Sequence, residues 1–423
     1  MMPSPDLASK LSIEDWAEKF KGKRVLVRVD YNVPLDGFRI TNNQRIVASL
    51  PTIIYLLDHG AKSIVLMSHL GRPNGQTIEK YSLRPVAAEL EKLLSRPVNF
   101  LSDCVGVEVE KACRDPIEGS IILLENLRFH IEEEGSGKSP DGAKAKADEH
   151  AVGKFRSSLS SLADVYVNDA FGTVHRAHSS IVGIDLSPKL AGLLVKKELK
   201  AFSSLLESPN RIDVAILGGA KVSDKIQLII HLLAKVKTLL IGGGMAFTLL
   251  KALKGTSIGN SLYDPEGAAI ANKIQAEAEK QKVNIFLPVD FVIADSFKAD
   301  SNTDLVTEAE GIPDGWMGLD VGPETSKIFA EAISSAKSVI WNGPMGVFEW
   351  DAFASGTKAV LDAMLQATAQ NNALTIVGGG DSATAVSKWG AEAGLAHVST
   401  GGGASIELLE GRELPGISAL TAA

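Results

Sequence analysis

Cysteine is scarce in this sequence: only Cys104 and Cys113 occur among 423 residues. Two cysteines cannot build a disulfide framework or a zinc centre based on cysteines, and they indicate a reducing compartment. No apolar run reaches the roughly 18 residues that a membrane-spanning helix needs. The chain begins without the apolar segment of a secretion signal and ends without a peroxisomal or retention tag. We therefore expect a cytoplasmic protein with no membrane partner.

Basic residues are also fewer than acidic ones. Lys and Arg number 43 against 51 Asp and Glu, which gives a net charge of −8. Such a balance argues against binding to nucleic acid or to anionic membranes. Hydrophobic residues make up 45% and charged residues 22% of the chain, as in ordinary globular proteins, and the length indicates at least two domains.

Arginine is missing mainly from the second half of the chain. Eleven arginines lie in residues 1–190, and only Arg211 and Arg412 follow. A domain rich in arginine beside one almost without it suggests two different binding tasks.

Short apolar runs alternate with segments of helical character along the whole chain. The runs are 25–29, 63–67, 120–124, 164–167, 213–217, 238–241, 338–341, 374–377 and 397–399. The helical segments include 83–94, 225–235, 266–280, 356–369 and a linking stretch at 189–207. Continuous apolar runs are typical of strands buried on both faces, so the pattern predicts parallel sheets covered by helices. The polar segment 132–150 is predicted to be a surface excursion.

In the first half, the residues after the apolar runs are dominated by arginine and histidine. Open parallel sheets bind ligands beyond the carboxyl ends of their strands, and the arginine fork pairs with carboxylate or phosphate. Any one of these arginines, taken alone, is better explained as a solvated loop residue, but four at separate strand ends favour a site for a small, multiply charged anion. We assign structural roles to His130 and His178. The candidate site residues are Asp30, Asn32, Arg45, His69, Arg72, Arg128, His175 and Arg176.

In the second half, glycine occupies the corresponding positions. Glycine turns between strand and helix let backbone N–H groups approach phosphates, and several such turns in one half favour a nucleotide site over tight turns alone. The clusters are Gly218–Lys221, Gly242–Gly244, Asn342–Gly346, Gly378–Asp381 and Gly401–Gly403.

A few charged side chains accompany the glycine clusters. Lys221 and Lys225 are four residues apart at the start of a helical segment, where both can neutralise phosphate oxygens. Asp381 is a candidate ligand of nucleotide-bound Mg²⁺, with a helix N-cap as its simpler role. Glu349 is a candidate acceptor for ribose hydroxyl groups.

Two further motifs point to other functions and are set aside. Segment 135–139, GSGKS, lacks the first glycine and the preceding strand of a P-loop. Segment 378–383, GGGDSA, fits a dinucleotide pattern, but no acidic residue follows about 20 residues later, so a nicotinamide cofactor is the weaker hypothesis. A dehydrogenase and a non-catalytic binding protein remain as alternatives, which nicotinamide absorbance and a turnover assay would separate.

Long motifs in the order found here resemble those of phosphoglycerate kinases over essentially the whole chain. They are RVDYNVP (28–34), ITNNQR (40–45), MSHLGRP (67–73), LLENLRF (123–129), YVNDAFGTVHRAHSS (166–180), ILGGAKVSDKI (216–226), IGGGMAFT (241–248), LPVDFV (287–292), GWMGLDVGP (315–323), WNGPMGVFEW (341–350), GGGDS (378–382) and STGGGASIELLEG (399–411).

The resemblance implies a monomer with two Rossmann-like lobes, each a parallel sheet covered by helices on both faces. The implied parts are an N-terminal lobe (1–188), an interdomain helix (189–207), a C-terminal lobe (208–400) and a segment returning to the N-terminal lobe (401–423). Hinges are expected near 189–207 and 399–405.

The same resemblance implies a site in each lobe. The N-terminal lobe would bind 3-phosphoglycerate or 1,3-bisphosphoglycerate through Asp30, Asn32, Arg45, His69, Leu70, Gly71, Arg72, Arg128 and Arg176. The C-terminal lobe would bind Mg-ATP or Mg-ADP through Gly219, Lys221, Lys225, Gly243, Gly318, Asn342, Glu349, Gly379, Gly380, Asp381 and Ser382, with Asp381 linked to the metal. The implied catalytic residues are Arg45, Lys221, Lys225, Gly379 and Gly402.

The implied activity is the glycolytic and gluconeogenic transfer of the acyl phosphate of 1,3-bisphosphoglycerate to Mg-ADP, by domain closure and direct in-line transfer. In the reverse direction the acceptor is a carboxylate that is already ionised at pH 7, so no general base is needed. The expected partners are these small molecules with Mg²⁺, and no nucleic acid.

Overall fold

A computed structural model of the chain describes residues 7, 9–139 and 141–423. The chain forms two compact units: unit 1 runs to Lys200 and includes Glu413–Ala423, and unit 2 is Ala201–Arg412. Residues 1–6, 8 and 140 of the predicted N-terminal lobe lie outside the described residues. No described helix is long and apolar enough to cross a membrane.

The limits of the units differ from the predicted lobe limits. The return to unit 1 begins at 413 rather than 401, because the helix Gly403–Leu409 packs on the helix Ile226–Leu233 within unit 2. The predicted interdomain helix is also too long, since Lys189–Ala191 is a strand. This strand pairs with residues 166–168, and the helix Leu193–Leu206 begins only after Gly192.

The described part of unit 1 contains a parallel sheet of six strands. In spatial order they are Lys189–Ala191, Val165–Asn168, Arg24–Arg28, Ser63–Met67, Ser120–Leu123 and Val98–Phe100. Successive side chains of a strand point to opposite faces, so Val25 and Val27 join one apolar cluster and Leu26 joins another. Burial on both faces explains why the runs are continuously apolar.

Helices cover both faces of this sheet. Gln44–Asp58 and Arg84–Leu94 supply residues to the cluster of Val25, whereas Val107–Arg114 and Glu149–Ser161 supply residues to the cluster of Leu26. The shorter helices of unit 1 are Ile131–Glu134, Ser179–Val182 and Pro415–Ser418.

Unit 2 holds a second parallel sheet with a different strand order. In spatial order its six strands, all within described residues, are Asn284–Phe286, Val236–Ile241, Ile212–Leu217, Ser338–Asn342, Leu374–Val377 and His397–Val398. Numbered along the chain this order is 3-2-1-4-5-6, which is that of a Rossmann sheet. Its helices are Ile226–Leu233, Gly244–Lys254, Pro265–Gln281, Pro323–Ser334, Ser355–Asn371, Gly380–Lys388 and Gly403–Leu409.

Smaller elements complete the two units. Unit 2 contains an antiparallel sheet of Thr303–Thr307, Asp290–Ala294 and Met317–Val321. Unit 1 contains the strand pairs Leu35–Asp36 with Arg39–Ile40 and Ser136–Lys138 with Lys144–Lys146. The 3-10 helices are Ile13–Lys19, Glu79–Tyr81, Leu127–Phe129, Phe171–Thr173, Ser223–Lys225, Asp351–Phe353 and Glu392–Gly394.

The predicted fold class is confirmed, and each predicted run corresponds to a strand of one of the two large sheets. The sequence pattern missed the sheet strands Val98–Phe100, Lys189–Ala191 and Asn284–Phe286, which have three residues each and too few apolar residues to stand out. It also missed the antiparallel sheet of unit 2, whose strand Thr303–Thr307 is mostly exposed.

Candidate active site

Unit 1 changes its winding direction between the strands Arg24–Arg28 and Val165–Asn168. The chain leaves the first of these strands toward Ser63–Met67, and the second lies on the opposite side of Arg24–Arg28. A crevice opens at such a switch point, outside the carboxyl ends of the strands, and it is the usual place for a ligand. The predicted anion-binding residues follow the strand ends around this crevice.

Asp30 fixes the direction of Arg45 at this edge of the sheet. Arg45 Nη1 lies 2.6 Å from Asp30 Oδ2, and Asp30 Oδ1 accepts a hydrogen bond from the N–H of Asn32 at 3.2 Å. Asn32 Oδ1 in turn accepts the N–H of Gly71 at 2.9 Å. Arg45 keeps 40% of its side chain exposed, so its remaining donors are open to a ligand.

His69 is buried at the same crevice and is neutral. Its Nδ1 lies 3.3 Å from Arg28 Nη2, and because a guanidinium only donates, Nδ1 accepts and the ring proton is on Nε2. Burial, together with the charges of Arg28 and Arg128, holds the pKa of His69 well below its usual value. His69 therefore offers an N–H donor that does not depend on pH near neutrality.

Arg128 is almost fully buried and is held by two partners. Its Nη1 donates to the carbonyl of Gly71 at 2.8 Å, and its Nη2 pairs with Glu134 Oε1 at 3.1 Å. Its Nε has no hydrogen-bond partner among the described residues, although buried polar atoms almost always have one. The neighbouring Leu70 is fixed by Asn126, which accepts its N–H at 3.2 Å and donates to its carbonyl at 2.7 Å.

The outer residues of the predicted patch are less constrained. Arg72 and Arg176 are exposed, and Arg176 Nε lies 3.2 Å from His175 Nε2. His178 is buried near Glu133 and Glu134, as expected for a structural histidine, and burial with the nearby arginines lowers its pKa to about 3.

Sequence reasoning missed several buried polar residues beneath this patch. Arg28 is completely buried and donates to Ser180 Oγ at 2.9 Å, while the buried Glu133 accepts from both Ser180 N and Ser180 Oγ. Glu133 corrects the expectation that all of 132–150 is a surface excursion, because burial of its carboxylate requires these donors. An arginine inside an apolar strand run was the available signal for Arg28.

Asp169 is a second missed residue, directly after the strand Val165–Asn168. Its Oδ1 accepts the N–H groups of Leu194 at 2.9 Å and Val195 at 3.4 Å, at the start of the helix Leu193–Leu206. Burial raises the pKa of Asp169 to about 6. The end of this strand is thus tied to the helix that leads out of unit 1.

Unit 2 has its switch point between the strands Ile212–Leu217 and Ser338–Asn342. The turns next to these strands contain glycine because neighbouring atoms leave no space for a side chain. Gly243 has φ +67°, and a Cβ on it would lie 2.6 Å from Gly219 N. Gly379 has φ +94°, and its Cβ would lie 2.6 Å from Asn342 Nδ2. The N–H of Gly243 donates to the carbonyl of Met345 at 3.0 Å, so backbone hydrogen bonds hold these tight turns at the edge where the sheet reverses.

Lys225 is held inside this edge, whereas Lys221 is exposed. Lys225 Nζ donates to Asn342 Oδ1 at 2.5 Å and to its carbonyl at 3.1 Å. Burial lowers the pKa of Lys225 to about 8, although the carboxylates of Asp381 and Asp224 act in the opposite direction. The two lysines do not share one face of an α-helix, because Ser223–Lys225 is a 3-10 helix and the α-helix begins at Ile226.

The turns are locked to one another by side chains. Ser382 Oγ accepts the N–H of Gly343 at 2.6 Å, and Asn342 Nδ2 donates to the carbonyl of Gly378 at 2.9 Å. Asp264 Oδ2 accepts the N–H of Ser223 at 2.8 Å and so fixes the loop between the two lysines.

A cleft of about 550 Å³ in unit 2 adjoins these turns. Five predicted nucleotide-binding residues line it: Gly219, Gly243, Gly318, Glu349 and Asp381. Its apolar lining comes from side chains that the sequence did not single out, including Phe247, Leu262, Phe291, Phe297, Met317 and Val347. The other predicted residues of unit 2 do not line this cleft; they are Lys221, Lys225, Asn342, Gly379, Gly380, Ser382 and Gly402.

Asp320 also lines this cleft and was not predicted. Its carboxylate accepts the N–H of Gly356 at 2.8 Å and that of Val321 at 2.9 Å, and burial raises its pKa to about 7. The signal in the sequence was a single aspartate within an otherwise apolar stretch.

The donors at this cleft fit a magnesium–nucleotide complex. The Asp381 carboxylate is exposed in the first turn of the helix Gly380–Lys388 and borders the cleft. Mg²⁺ prefers oxygen ligands and is commonly bound by one or two carboxylates together with phosphate groups. Asp381 supplies such an oxygen beside N–H groups suited to phosphate.

Comparison with known proteins identifies the family of the chain. The family model described as "Phosphoglycerate kinase" matches residues 13–412. The chain is 59% identical to "Phosphoglycerate kinase 1" of Rhizopus niveus and 61% identical to "Phosphoglycerate kinase" of Schizosaccharomyces pombe, covering 98% of this chain and 99% of each relative. The solved structure of phosphoglycerate kinase from Coxiella burnetii is 37% identical with a TM-score of 0.82, covering 97% of this chain and 98% of that one.

Proposed function

The chain belongs to the phosphoglycerate kinase family, and from this premise we propose how its two units divide the reaction. The protein is a phosphotransferase of glycolysis. It transfers the acyl phosphate of 1,3-bisphosphoglycerate to ADP and forms 3-phosphoglycerate and ATP, and the reaction is reversible.

Unit 1 binds the phosphoglycerate in this proposal. The guanidinium groups of Arg45 and Arg128 are held by Asp30 and Glu134, which leaves donors directed to a ligand that carries several negative charges. Neutral His69 completes the inner set, and Leu70 and Gly71 are proposed contacts whose backbone is held in place by Asn126 and Asn32. The remaining proposed contacts are Asp30, Asn32, Arg72 and Arg176.

Unit 2 binds the nucleotide with Mg²⁺. The cleft takes the base and ribose, with Glu349 at the ribose, and the glycine turns with Lys225 take the phosphates. Asp381 would hold the Mg²⁺, which would neutralise charge on the phosphate oxygens. The further proposed contacts are Gly219, Lys221, Gly243, Gly318, Asn342, Gly379, Gly380 and Ser382.

The chemical step needs no general base, because the attacking carboxylate of 3-phosphoglycerate is ionised at pH 7. Catalysis then consists of positioning and of stabilising charge on the transferring phosphoryl group. We assign this stabilisation to Arg45 of unit 1 and to Lys221 of unit 2, whose ammonium group is exposed. The backbone N–H groups of Gly379 and Gly402 add further donors.

Direct in-line transfer requires the two ligands to meet, so the reaction includes a closing motion with hinges at 189–207 and 399–405. The tie between Asp169 and the start of the helix Leu193–Leu206 supports the first hinge position. We further propose that the enzyme works as a monomer in the cytoplasm, where its two free, buried cysteines stay reduced.

One observation carries the proposal: unit 1 has a crevice with arginine side chains held by carboxylates, and unit 2 has a glycine-edged cleft bordered by the carboxylate of Asp381. The test supplies purified protein with 3-phosphoglycerate and Mg-ATP and measures ADP, with and without EDTA. We expect ADP formation that requires both 3-phosphoglycerate and the metal. ADP formation without the acid, or undiminished by EDTA, would contradict the proposal.

A further inference from the structure

A cluster of three potential metal ligands lies in unit 1. Asp103 and Cys104 follow the strand Val98–Phe100, and His130 follows the 3-10 helix Leu127–Phe129. One ligand atom from each of the three residues lies within 4.8 Å of the others. His130 Nε2 is 2.7 Å from Asp103 Oδ1, and the Cys104 side chain is completely buried beneath them.

The three donors are of different chemical kinds, and together they match one class of ion. Thiolate sulfur, imidazole nitrogen and carboxylate oxygen are the ligands that Zn²⁺ uses, in a tetrahedral arrangement. Metal–ligand distances of about 2.0–2.3 Å place such ligands roughly 3–4 Å apart, so modest side-chain rotations would bring these three into position. Asp103 is 51% and His130 29% exposed, which leaves a path for the ion and for a water as fourth ligand.

We propose that Asp103, Cys104 and His130 bind a Zn²⁺-type divalent cation, at a site distinct from the magnesium position at Asp381. Mg²⁺ favours oxygen ligands and disfavours thiolate, so ligand type separates the two sites. The bound ion would strengthen the link between two loops that are joined by the hydrogen bond from His130 to Asp103 and by that from the N–H of Glu125 to the carbonyl of Asp103.

Binding of the ion requires loss of the Cys104 thiol proton and of the hydrogen bond between His130 and Asp103. The Cys104 thiol loses its proton to solvent and the sulfur bonds to the ion. The imidazole of His130 takes its proton on Nδ1, so that Nε2 gives its lone pair to the ion instead of an N–H to Asp103. Asp103 then contributes a carboxylate oxygen, which no longer accepts that hydrogen bond. One proton is released for each ion when His130 begins neutral.

The chain contains a matched control for the cysteine. Cys113 is the other free cysteine, is equally buried and belongs to the same apolar cluster as Cys104. It has no place in the ligand cluster. A Cys113→Ser variant therefore tests loss of a buried thiol without loss of a ligand.

The experiment titrates nucleotide-free, full-length protein with Zn²⁺ in equilibrium dialysis and with Co²⁺ in absorption spectroscopy. We expect a zinc site that persists in Asp381→Ala, and a cobalt complex with a sulfur-to-metal charge-transfer band and tetrahedral d–d bands. Cys104→Ser should abolish the charge-transfer band and weaken zinc binding by at least the roughly 10- to 100-fold that loss of a supporting residue produces. Cys113→Ser should bind as the unaltered protein does.

Substitutions of the two partly exposed ligands, His130 and Asp103, test the proposal even if Cys104→Ser does not fold. His130→Gln and Asp103→Asn should each weaken zinc binding without removing the buried thiol. Zinc binding that is unchanged in these variants, or a cobalt spectrum without the sulfur band, would overturn the proposal. Absence of zinc binding by the unaltered protein would overturn it as well.

Discussion

Unit 1 and unit 2 present different chemical groups at the carboxyl ends of their parallel strands. Unit 1 uses side chains: Arg45 and Arg128 are each fixed by a carboxylate before any ligand is present. Unit 2 uses tight backbone turns: Gly243 and Gly379 have positive φ angles and no space for a Cβ, and Asn342 anchors the half-buried Lys225 through two hydrogen bonds. One general architecture thus supports two kinds of anion site.

Because the two sites use different groups, they should respond differently to mutation and to pH. A guanidinium charge does not change near neutral pH, and its position depends on a few side-chain partners. Backbone donors depend on the shape of a loop, and an amine in a buried position depends on pH. We therefore expect unit 1 to respond to deletion of individual arginines, and unit 2 to respond to loss of loop supports and to alkaline pH.

The largest effect is expected at the exposed lysine of unit 2. Lys221→Ala should lower kcat by on the order of 10²-fold or more, the scale of a lost electrostatic contact in the transition state. Steady-state kinetics would measure it, with Lys273→Ala as control, because Lys273 is an exposed lysine on the helix Pro265–Gln281. Wild-type turnover in Lys221→Ala would refute the catalytic role.

A smaller loss of turnover is expected from a substitution in unit 1, and it should affect kcat without affecting ADP affinity. Arg45→Ala should reduce kcat by about 10- to 100-fold and leave ADP affinity nearly unchanged, because the removed charge acts on the transferring group. Turnover and calorimetric ADP binding would be compared. Arg39→Ala, at an exposed arginine of the same unit, serves as control. Equal losses in kcat and ADP affinity would contradict the assignment.

Removal of a loop support should produce an intermediate effect in unit 2. Asp264→Ala deletes the acceptor of Ser223 N–H, and we expect kcat to fall about tenfold through misplacement of the two lysines. Asp213 accepts the N–H groups of Lys337 and Ser338, away from the glycine turns.

The control for this experiment is therefore Asp213→Ala. Both variants should lose about 1 kcal/mol of unfolding free energy, as for a lost cap, but only Asp264→Ala should lose turnover. Asp264→Asn, which keeps an acceptor oxygen, should recover most of it. Chemical denaturation and kinetics would measure the two quantities, and unchanged turnover in Asp264→Ala would remove the positioning role.

The smallest expected effect is a difference between the two units in how ligand affinity depends on pH. The pKa of Lys225 is about 8, so its ammonium charge is present below pH 8 and is lost above it. ADP affinity should therefore fall several-fold between pH 7 and pH 9, whereas 3-phosphoglycerate affinity should stay level because the arginines remain charged and His69 remains neutral.

Calorimetry at three pH values would test this difference. In Lys225→Met the dependence of ADP affinity on pH should disappear. A parallel decline of both affinities in the unaltered protein would show that the buried lysine is not its source.

The sequence predicted the main sheets because buried parallel strands are recognisable as continuous apolar runs. It did not predict three-residue strands such as Val98–Phe100, whose pairing depends on neighbours distant in the chain. For the two candidate sites, the arginines of the first half and the glycines of the second half could be recognised in the sequence at the ends of the predicted strands. Arg28 and Asp320 stood out only as single charged residues within apolar stretches, and their partners could not be predicted because these lie far away in the sequence.

The strip Glu413–Ala423 completes unit 1 from the far end of the chain. Leu11 N–H donates to the carbonyl of Thr421, Thr421 N–H donates to that of Lys189, and Ala423 N–H donates to that of Ser9. Unit 1 is therefore built from two parts of the sequence that are separated by the whole of unit 2, which is itself continuous. Its full set of hydrogen bonds requires residues 413–423 to have been synthesised, so the two parts must find each other across about half of the chain's length.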